Sequence, residues 1–164
     1  MKRLIILSLL AVAIAGSSQA QQKYVPAAEN LKNRAEFQDM KFGVFIHWGI
    51  YSMMADGEWI MNNKNINWQE YAKLADGFYP SKYDAEKWVA DVKAAGAKYI
   101  CITSRHHDGF SMFHTWQSPY NIVDGTPFKR DIIKELADAC HKQGVKLHFY
   151  YSQLDWRRSD YFPD

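Results

Sequence analysis

Three apolar runs, separated by amphipathic segments, constrain the fold of this 164-residue chain more than any other feature. The runs cover residues 41–48, 97–104 and 145–152. The nearly continuous apolar character of the first run is typical of a strand that is buried on both faces. Helices are predicted between the runs at residues 83–95 and 131–143, where apolar side chains recur at helical spacing. This alternation of strands and helices predicts βαβ units and a parallel sheet.

The lengths of the connections indicate which parallel architecture is present. Long loops follow the first two strands, at residues 49–67 and 105–130, whereas the turns from helix to strand are short and centre on Gly96 and Gly144. A (β/α)8 barrel builds its site on the strand-to-helix loops, so this asymmetry favours that fold. We predict an α/β fold that is a partial (β/α)8 TIM-like barrel, with only the first three βα units. Other predicted elements are a lead-in helix at residues 28–39 and a helical segment at residues 68–78.

The first twenty residues have the pattern of an export signal. Lys2-Arg3 precedes an apolar stretch of twelve residues, Leu4–Ala15, and Ser18-Gln19-Ala20 gives a small-x-small cleavage pattern. A membrane anchor is the alternative, but a spanning helix needs about 20 apolar residues. We therefore predict a signal peptide at residues 1–20 and the barrel segment at residues 21–164. The mature protein is expected to be periplasmic or secreted, without stable membrane insertion.

The charge balance gives no reason to expect a polyanionic partner. The chain has 20 basic and 18 acidic residues, and removal of Lys2 and Arg3 with the signal peptide leaves 18 of each. Nucleic acids and anionic membranes are recognised mainly through excess positive charge. We therefore predict that the protein does not bind nucleic acid.

The two cysteines, Cys101 and Cys140, fall on a predicted strand and a predicted helix. An oxidising compartment would permit a disulfide between them. Both occupy positions on apolar faces, however, so we predict buried free thiols.

Three histidines stand where predicted strands end. His47 ends the first run within FIHWG, and His106-His107 follow the second run within SRHHDGF. The carboxyl ends of parallel strands meet at the edge where ligands bind in α/β folds. On an extended backbone His106 and His107 would point to opposite faces, so both reach one site only if the strand bends into the loop. The alternative is one site histidine and one buried histidine bonded to a carbonyl group.

In the functional interpretation both His106 and His107 donate hydrogen bonds to a hydroxyl-rich ligand. Asp108 follows them and is a candidate to orient one of the imidazole rings as an acceptor. The three residues would then form one polar unit.

Two further positions suit a sugar site. Glu58-Trp59 joins a carboxylate, which accepts from hydroxyl groups, to an indole ring, which covers C–H faces; the alternative is a surface loop with one buried tryptophan. In the third strand Tyr150 shares its parity with His148 and Ser152, which are predicted to face the barrel axis. Tyr150 is therefore the favoured site tyrosine. Trp48 and Trp116 are candidates either to cover a ligand or to pack.

A metal centre is the rival interpretation of the histidines. Zinc takes three or four protein ligands, and His47, His106 and His107 with a carboxylate would supply them. The chain lacks the H-E-x-x-H pattern that would favour such a site. We therefore expect no metal and no cofactor.

Five motifs in order carry a family resemblance: FGVFIHWGIYS, GEW, SRHHDGFSMF, TPFKRDIIKELADACHKQGVK and FYYSQLDW. From about Glu36 to Trp156, the chain closely resembles the N-terminal third of the catalytic domain of retaining α-L-fucosidases, glycoside hydrolase family 29. The resemblance implies a (β/α)8-like barrel followed by a β-sandwich, and hydrolysis of terminal fucose from fucosylated oligosaccharides or glycoconjugates. It also implies a fucose pocket that contains His47, Glu58, Trp59, His106, His107 and a tyrosine of the YYS motif, for which we favour Tyr150.

The resemblance also implies that the reacting groups lie elsewhere. The family's nucleophilic aspartate belongs to a Trp-x-Asp-Gly motif on a later strand, and that motif does not occur in these 164 residues. The usual acid/base glutamate lies later still, with Glu58 as a subsidiary candidate. We therefore expect the chain as given to lack fucosidase activity. The alternatives are a carbohydrate-binding pseudo-enzyme and a metal-dependent barrel hydrolase.

Overall fold

A computed structural model of the chain describes residues 24–160, so the predicted signal peptide lies outside the described residues. The fold is α/β, with a three-stranded parallel sheet in the order β1-β2-β3. The strands are β1 (Gly43–Ile46), β2 (Tyr99–Arg105) and β3 (Lys146–Tyr151). Both ends of each strand lie within two residues of the predicted bounds. Among the described helices, none has the length and apolar character that a membrane span requires.

Five α-helices accompany the sheet in the described residues: α1 (Ala28–Met40), α2 (Ile60–Asn63), α3 (Trp68–Ala72), α4 (Ala85–Ala94) and α5 (Ile132–Gln143). The chain divides into two compact units at residue 39, and α1 lies in the N-terminal unit while the sheet lies in the other. Helices α4 and α5 connect successive strands, which confirms the predicted βαβ order.

The loop predicted at residues 49–67 is more ordered than expected. It contains the helix α2 and a 3₁₀ helix, Ile50–Met54. The helical segment predicted at residues 68–78 is likewise divided into α3 and a second 3₁₀ helix, Lys73–Gly77. Such short turns have too few residues to show a period in the sequence, so periodicity could not detect them.

Local capping explains why α4 and α5 begin and end where they do. The side chains of Asp84 and Asp131 accept hydrogen bonds from the third backbone N–H of each helix, at 3.0 and 2.9 Å. Gly144 ends α5 with φ at 74° and Gly96 follows α4 with φ at 86°, a left-handed backbone that glycine adopts without a Cβ clash. Both predicted helix stops are confirmed.

The two faces of the sheet differ in what covers them. Ile100 and Ile102 of β2 are fully buried in the hydrophobic core, together with Val89 of α4 and Leu136 of α5. The opposite face carries polar and aromatic side chains, and on it Phe45 is 54% exposed. The prediction that the first strand is buried on both faces is therefore wrong, because the helices of the described residues cover only one face of the sheet.

Both cysteines are free thiols, as predicted, but they differ in environment. Cys140 is buried in the core on α5, whereas Cys101 is only half-buried. Cys101 alternates with Ile100 and Ile102 along β2, so its side chain points to the opposite face of the sheet. The expectation that Cys101 lies on the apolar face is therefore wrong.

A substitution in β1 tests the close packing of β1 against β2. A Cβ atom at Gly43 would overlap the ring of Tyr99, so Gly43→Ala must displace that ring. We expect Gly43→Ala to lower the free energy of unfolding by about 1–3 kcal/mol in urea denaturation. Gly77→Ala is the control, since its Cβ would meet only Cε of Met53 at 3.4 Å. Equal losses in the two variants would contradict this account.

Candidate functional site

The three histidines converge at the carboxyl ends of β1 and β2. The ring centroid of His106 lies 5.0 Å from that of His47 and 4.2 Å from that of His107. His106 and His107 are buried, whereas His47 is exposed. The three imidazoles therefore form one cluster at this edge of the sheet, rather than being scattered through the packing.

A bend at the end of β2 allows two adjacent histidines to share this region. The pairing of β2 with β3 becomes irregular between Thr103 and Arg105, and the strand ends at Arg105. The backbone N–H of Gly109 then donates to the carbonyl oxygen of His106 at 3.0 Å, which closes a tight turn. Because the backbone is no longer extended, the rings of His106 and His107 do not point to opposite faces.

Tyr150 and Glu58 complete the cluster around His106. The ring of Tyr150 stacks on that of His106, with centroids 5.5 Å apart and an interplanar angle of 19°. A carboxylate oxygen of Glu58 and one ring nitrogen each from His47 and His106 all lie within 4.8 Å of one another. The parity argument that selected Tyr150 therefore places it beside the histidines.

Trp59 lies beside His107 in an aromatic wall. Its ring is edge-on to that of His107, at a centroid distance of 5.2 Å, and it is 43% exposed. Trp156, from the loop after β3, lies 5.2 Å from Trp59 and 5.1 Å from His107. Ring contacts thus join five of the six site residues predicted from the sequence, and the carboxylate of the sixth, Glu58, lies within 4.8 Å of two of the imidazole rings.

Tyr51 belongs to the cluster but was missed from the sequence. Its ring lies 5.8 Å from that of His47 and 5.5 Å from that of His106. The 3₁₀ helix Ile50–Met54 turns the chain back immediately after His47, which brings Tyr51 over the histidines. The signal in the sequence is its position four residues after His47, but residues 49–67 are predicted as a loop, which gives no position for the side chain of Tyr51.

A hydrogen-bond count shows how Tyr51 is held. The hydroxyl group of Thr103 donates its one proton to the carbonyl oxygen of Trp48 at 2.8 Å and accepts from the Trp48 N–H at 3.0 Å. The Tyr51 hydroxyl, 3.0 Å from the Thr103 oxygen, must therefore be the donor in their contact. Thr103 of β2 thus fixes the backbone directly after His47.

Asp108 does not orient a histidine, so that prediction is wrong. Its carboxylate is buried and accepts from the backbone N–H of Phe110 at 3.0 Å and from the Tyr71 hydroxyl at 3.2 Å. Burial raises the pKa of Asp108 to about 6, and these hydrogen bonds oppose the rise. Asp108 therefore stabilises the turn after the histidines instead of acting on their rings.

An ion pair and a backbone hydrogen bond join the end of β2 and the loop after it to the loop after β3. Nη2 of Arg105 lies 2.5 Å from Oδ2 of the buried Asp155, and Nε of Arg157 lies 3.3 Å from Oδ1 of the same carboxylate. Gly109 has φ at 73°, and a Cβ there would lie 2.5 Å from Asp155 Oδ1. The backbone N–H of Trp156 also donates to the carbonyl oxygen of His107 at 2.8 Å.

Burial determines the protonation of the central histidine. Burial, together with weaker repulsion from the neighbouring His107 and His47, lowers the pKa of His106 to about 4, while Glu58 acts in the opposite direction. Burial also lowers the pKa of His107. Both rings are therefore neutral at neutral pH and can exchange hydrogen bonds with uncharged hydroxyl groups.

The remaining tryptophan candidates have other surroundings. Trp48 packs against Tyr83 and Trp88, at centroid distances of 5.7 and 5.2 Å, and so contributes to the core. Trp116 is 87% exposed, and no ring contact joins it to the site cluster within the described residues. Trp48 therefore has the packing role among its two predicted alternatives.

Comparisons with known proteins give one consistent answer. A sequence model of the family described as Alpha-L-fucosidase matches residues 11–164. A putative alpha-L-fucosidase of Caenorhabditis elegans is 35% identical over 162 residues, which cover 86% of this chain and 33% of the nematode protein. Tissue alpha-L-fucosidase of Homo sapiens is 32% identical, over 98% of this chain and 39% of the human protein. The chain thus spans little more than a third of the length of these relatives.

Solved structures resemble the described fold as well. The alpha-L-fucosidase AlfC from Lactobacillus casei, in complex with its alpha-L-fucose product, has a TM-score of 0.75 and 46% identity. The match covers 77% of this chain and 43% of that one. A GH29 alpha-L-fucosidase from Bacteroides thetaiotaomicron has a TM-score of 0.76 and 36% identity, over 80% of this chain and 32% of its own.

The buried titratable groups predict opposite responses to acid. Between pH 6.5 and 4 the unfolded chain binds a proton that folded His106 does not, so His106 makes the protein less stable as the pH falls. Folded Asp108 binds its proton at a higher pH than the unfolded chain does, so it opposes that loss below about pH 6. Relative to the unsubstituted protein, we expect His106→Asn to lose less stability between pH 7 and 5, and Asp108→Asn to lose more.

Urea denaturation at pH 7 and pH 5 measures the effect directly. The informative quantity is the change in the free energy of unfolding between the two pH values, compared among the unsubstituted protein and both variants. An identical pH dependence in all three proteins would contradict the assignment.

Proposed function

Because the chain belongs to the alpha-L-fucosidase family, we propose that it forms the fucose-binding part of an exported, retaining α-L-fucosidase. The observation that carries the proposal is the convergence of His47, His106 and Tyr150 with the carboxylate of Glu58 at one edge of the sheet. A monosaccharide presents several hydroxyl groups within a few ångströms, and this cluster presents a similar density of neutral polar groups.

The cluster offers a separate surface for each part of a sugar. Neutral imidazoles and the Tyr150 hydroxyl exchange hydrogen bonds with sugar hydroxyl groups, while the Glu58 carboxylate accepts from them. The half-exposed ring of Trp59 covers a C–H face of the sugar. These groups lie at the edge of the sheet and on loops that an ion pair and a backbone hydrogen bond join to one another. They therefore hold the sugar in a fixed orientation for reaction.

Retaining hydrolysis requires two carboxyl groups about 5–5.5 Å apart, one as nucleophile and one as acid/base. We propose that the nucleophile lies outside residues 1–164, since no Trp-x-Asp-Gly motif occurs within them. The acid/base is also proposed to lie outside, with Glu58 as the subsidiary candidate because its carboxylate borders the histidines. In this proposal residues 1–164 bind the sugar but do not cleave it.

The wider architecture follows from the same proposal. The parallel order β1-β2-β3, with α4 and α5 as crossover helices, supports an assignment as the first three βα units of a (β/α)8 barrel. The signal pattern at residues 1–20 supports export to the periplasm or the exterior, with residues 21–164 as the barrel segment. The substrates are then fucosylated oligosaccharides or glycoconjugates that reach that compartment.

A metal-dependent hydrolase is the second candidate function, and one observation favours it. Ring nitrogens of His47 and His106 and an oxygen of Glu58 lie within 4.8 Å of one another. Two histidines and a glutamate are a known ligand set of catalytic zinc. The family relationship favours the sugar site, but the two functions differ in their response to a chelator.

Fucose binding separates these candidates. We expect L-fucose to bind the purified protein in isothermal titration calorimetry, and we expect His107→Ala to weaken binding by about 10-fold or more while the protein stays folded. His141→Ala is the matched control, because His141 is exposed on α5 and should leave the affinity unchanged.

Prior dialysis against EDTA should not alter the affinity for L-fucose. Loss of binding after dialysis, restored by zinc, would favour the metal site. A His107→Ala variant that fails to fold would instead favour a purely structural buried histidine.

Catalysis tests the placement of the nucleophile. We expect residues 1–164 alone to give no turnover of an aryl α-L-fucoside above the uncatalysed rate, because binding contacts cannot replace the covalent step. A longer protein in which the chain continues into a Trp-x-Asp-Gly motif should turn the same substrate over. Turnover by residues 1–164 would contradict the proposal, and an inactive longer protein that still binds fucose would favour the pseudo-enzyme.

A further inference from the structure

A buried serine, Ser152, contacts the candidate site through His107. Ser152 directly follows β3 and is 3% exposed. Its Oγ atom lies 2.6 Å from Nδ1 of His107 and 3.0 Å from the carbonyl oxygen of Leu154. Ser152 thus lies between Nδ1 of His107, a candidate sugar-binding residue, and the carbonyl oxygen of Leu154, which can only accept a hydrogen bond.

Counting protons settles the direction of both contacts. A serine hydroxyl has one proton, and a backbone carbonyl oxygen has none to give. If Ser152 donated to His107, its lone pairs would face those of the Leu154 oxygen at 3.0 Å, which is repulsive. Ser152 therefore donates to Leu154 and accepts from His107, which requires a proton on Nδ1.

We propose that Ser152 is a positioning residue that holds His107 in its Nδ1–H tautomer, so that Nε2 of His107 accepts a hydrogen bond from a hydroxyl group of the bound sugar. The sugar half of this statement rests on the proposed function, whereas the tautomer stands on the geometry alone. It replaces the expectation that His106 and His107 both act as donors. A neutral imidazole carries one proton, and Ser152 places it on the buried nitrogen.

The neighbours of His107 hold the ring in the orientation that this contact needs. Trp59 and Trp156 lie 5.2 and 5.1 Å from it, and the ring of His106 lies 4.2 Å away. A ring packed among three others cannot rotate freely to exchange its two nitrogens. An acceptor nitrogen then selects for a ligand that offers an O–H group and against one in which fluorine, which has no proton, replaces that hydroxyl.

The tautomer is directly measurable. Long-range ¹H–¹⁵N spectra at pH 8, where an ordinary imidazole is neutral, distinguish a protonated Nδ1 from a protonated Nε2. We expect Nδ1–H for His107 in the unsubstituted protein and a shift toward Nε2–H in Ser152→Ala. Ser104→Ala is the matched control, because Ser104 is equally buried and donates to the Tyr150 carbonyl oxygen at 2.9 Å, but has no hydrogen bond to His107.

Sugar analogues test the consequence for binding. Among the 2-, 3- and 4-deoxyfluoro derivatives of L-fucose, we expect one to bind the unsubstituted protein at least about 10-fold more weakly than the others. That discrimination should shrink in Ser152→Ala, because Nε2–H can donate to fluorine or oxygen, and it should persist in Ser104→Ala.

The outcomes are distinct. An Nε2–H tautomer in the unsubstituted protein, or an unchanged Nδ1–H tautomer in Ser152→Ala, would overturn the proposal. If Ser152→Ala does not fold, Ser152→Thr keeps the hydroxyl group and must keep the Nδ1–H tautomer. A protein that shows the Nδ1–H tautomer but binds no fucose would overturn the proposed function and leave the role of Ser152 intact.

Discussion

The buried ion pair between Arg105 and Asp155 is the interaction on which the site depends. It joins the last residue of β2 to the loop after β3, at 2.5 Å, and the histidine pair begins at the next residue. Gly109 fits against the same carboxylate because it lacks a side chain. Removing Asp155 would leave the largely buried Arg105 guanidinium without its charge partner, which costs more than the pair itself contributes. The turn that brings His106 and His107 to one side therefore has its support in a different strand's loop.

The site also shows how a polar cluster can form within buried surroundings. Thr103, Ser152 and Asp108 are buried, and each has its hydrogen bonds satisfied by the backbone or by another side chain. Such satisfied groups hold the backbone beside the histidines without competing for a ligand. Nδ1 of His106, in contrast, is buried and has no hydrogen-bond partner within the described protein. The supporting residues thus have all their hydrogen-bond partners within the protein, while the His106 ring at the centre of the cluster has a nitrogen without one in the described part of the chain.

Much of this arrangement was predictable because it depends on local periodicity. The strands, the helices α4 and α5, and their glycine stops follow from residue spacing, and strand parity selected Tyr150. The convergence of His47 with His106 follows from the rule that parallel strands end at one edge. Tyr51 and Ser152 were not predicted as site residues because their roles depend on partners 52 and 45 residues away in the sequence. Asp108 was misassigned for the same reason, since Tyr71 is 37 residues away.

The placement of the two thiols has a practical consequence. Cys101 points away from the helices and Cys140 lies among them, so β2 separates the two sulfur atoms. No covalent bridge between them is available to the native fold, even in an oxidising compartment. The packed state of this segment is therefore held by noncovalent forces alone, and its covalent structure does not depend on an oxidising compartment.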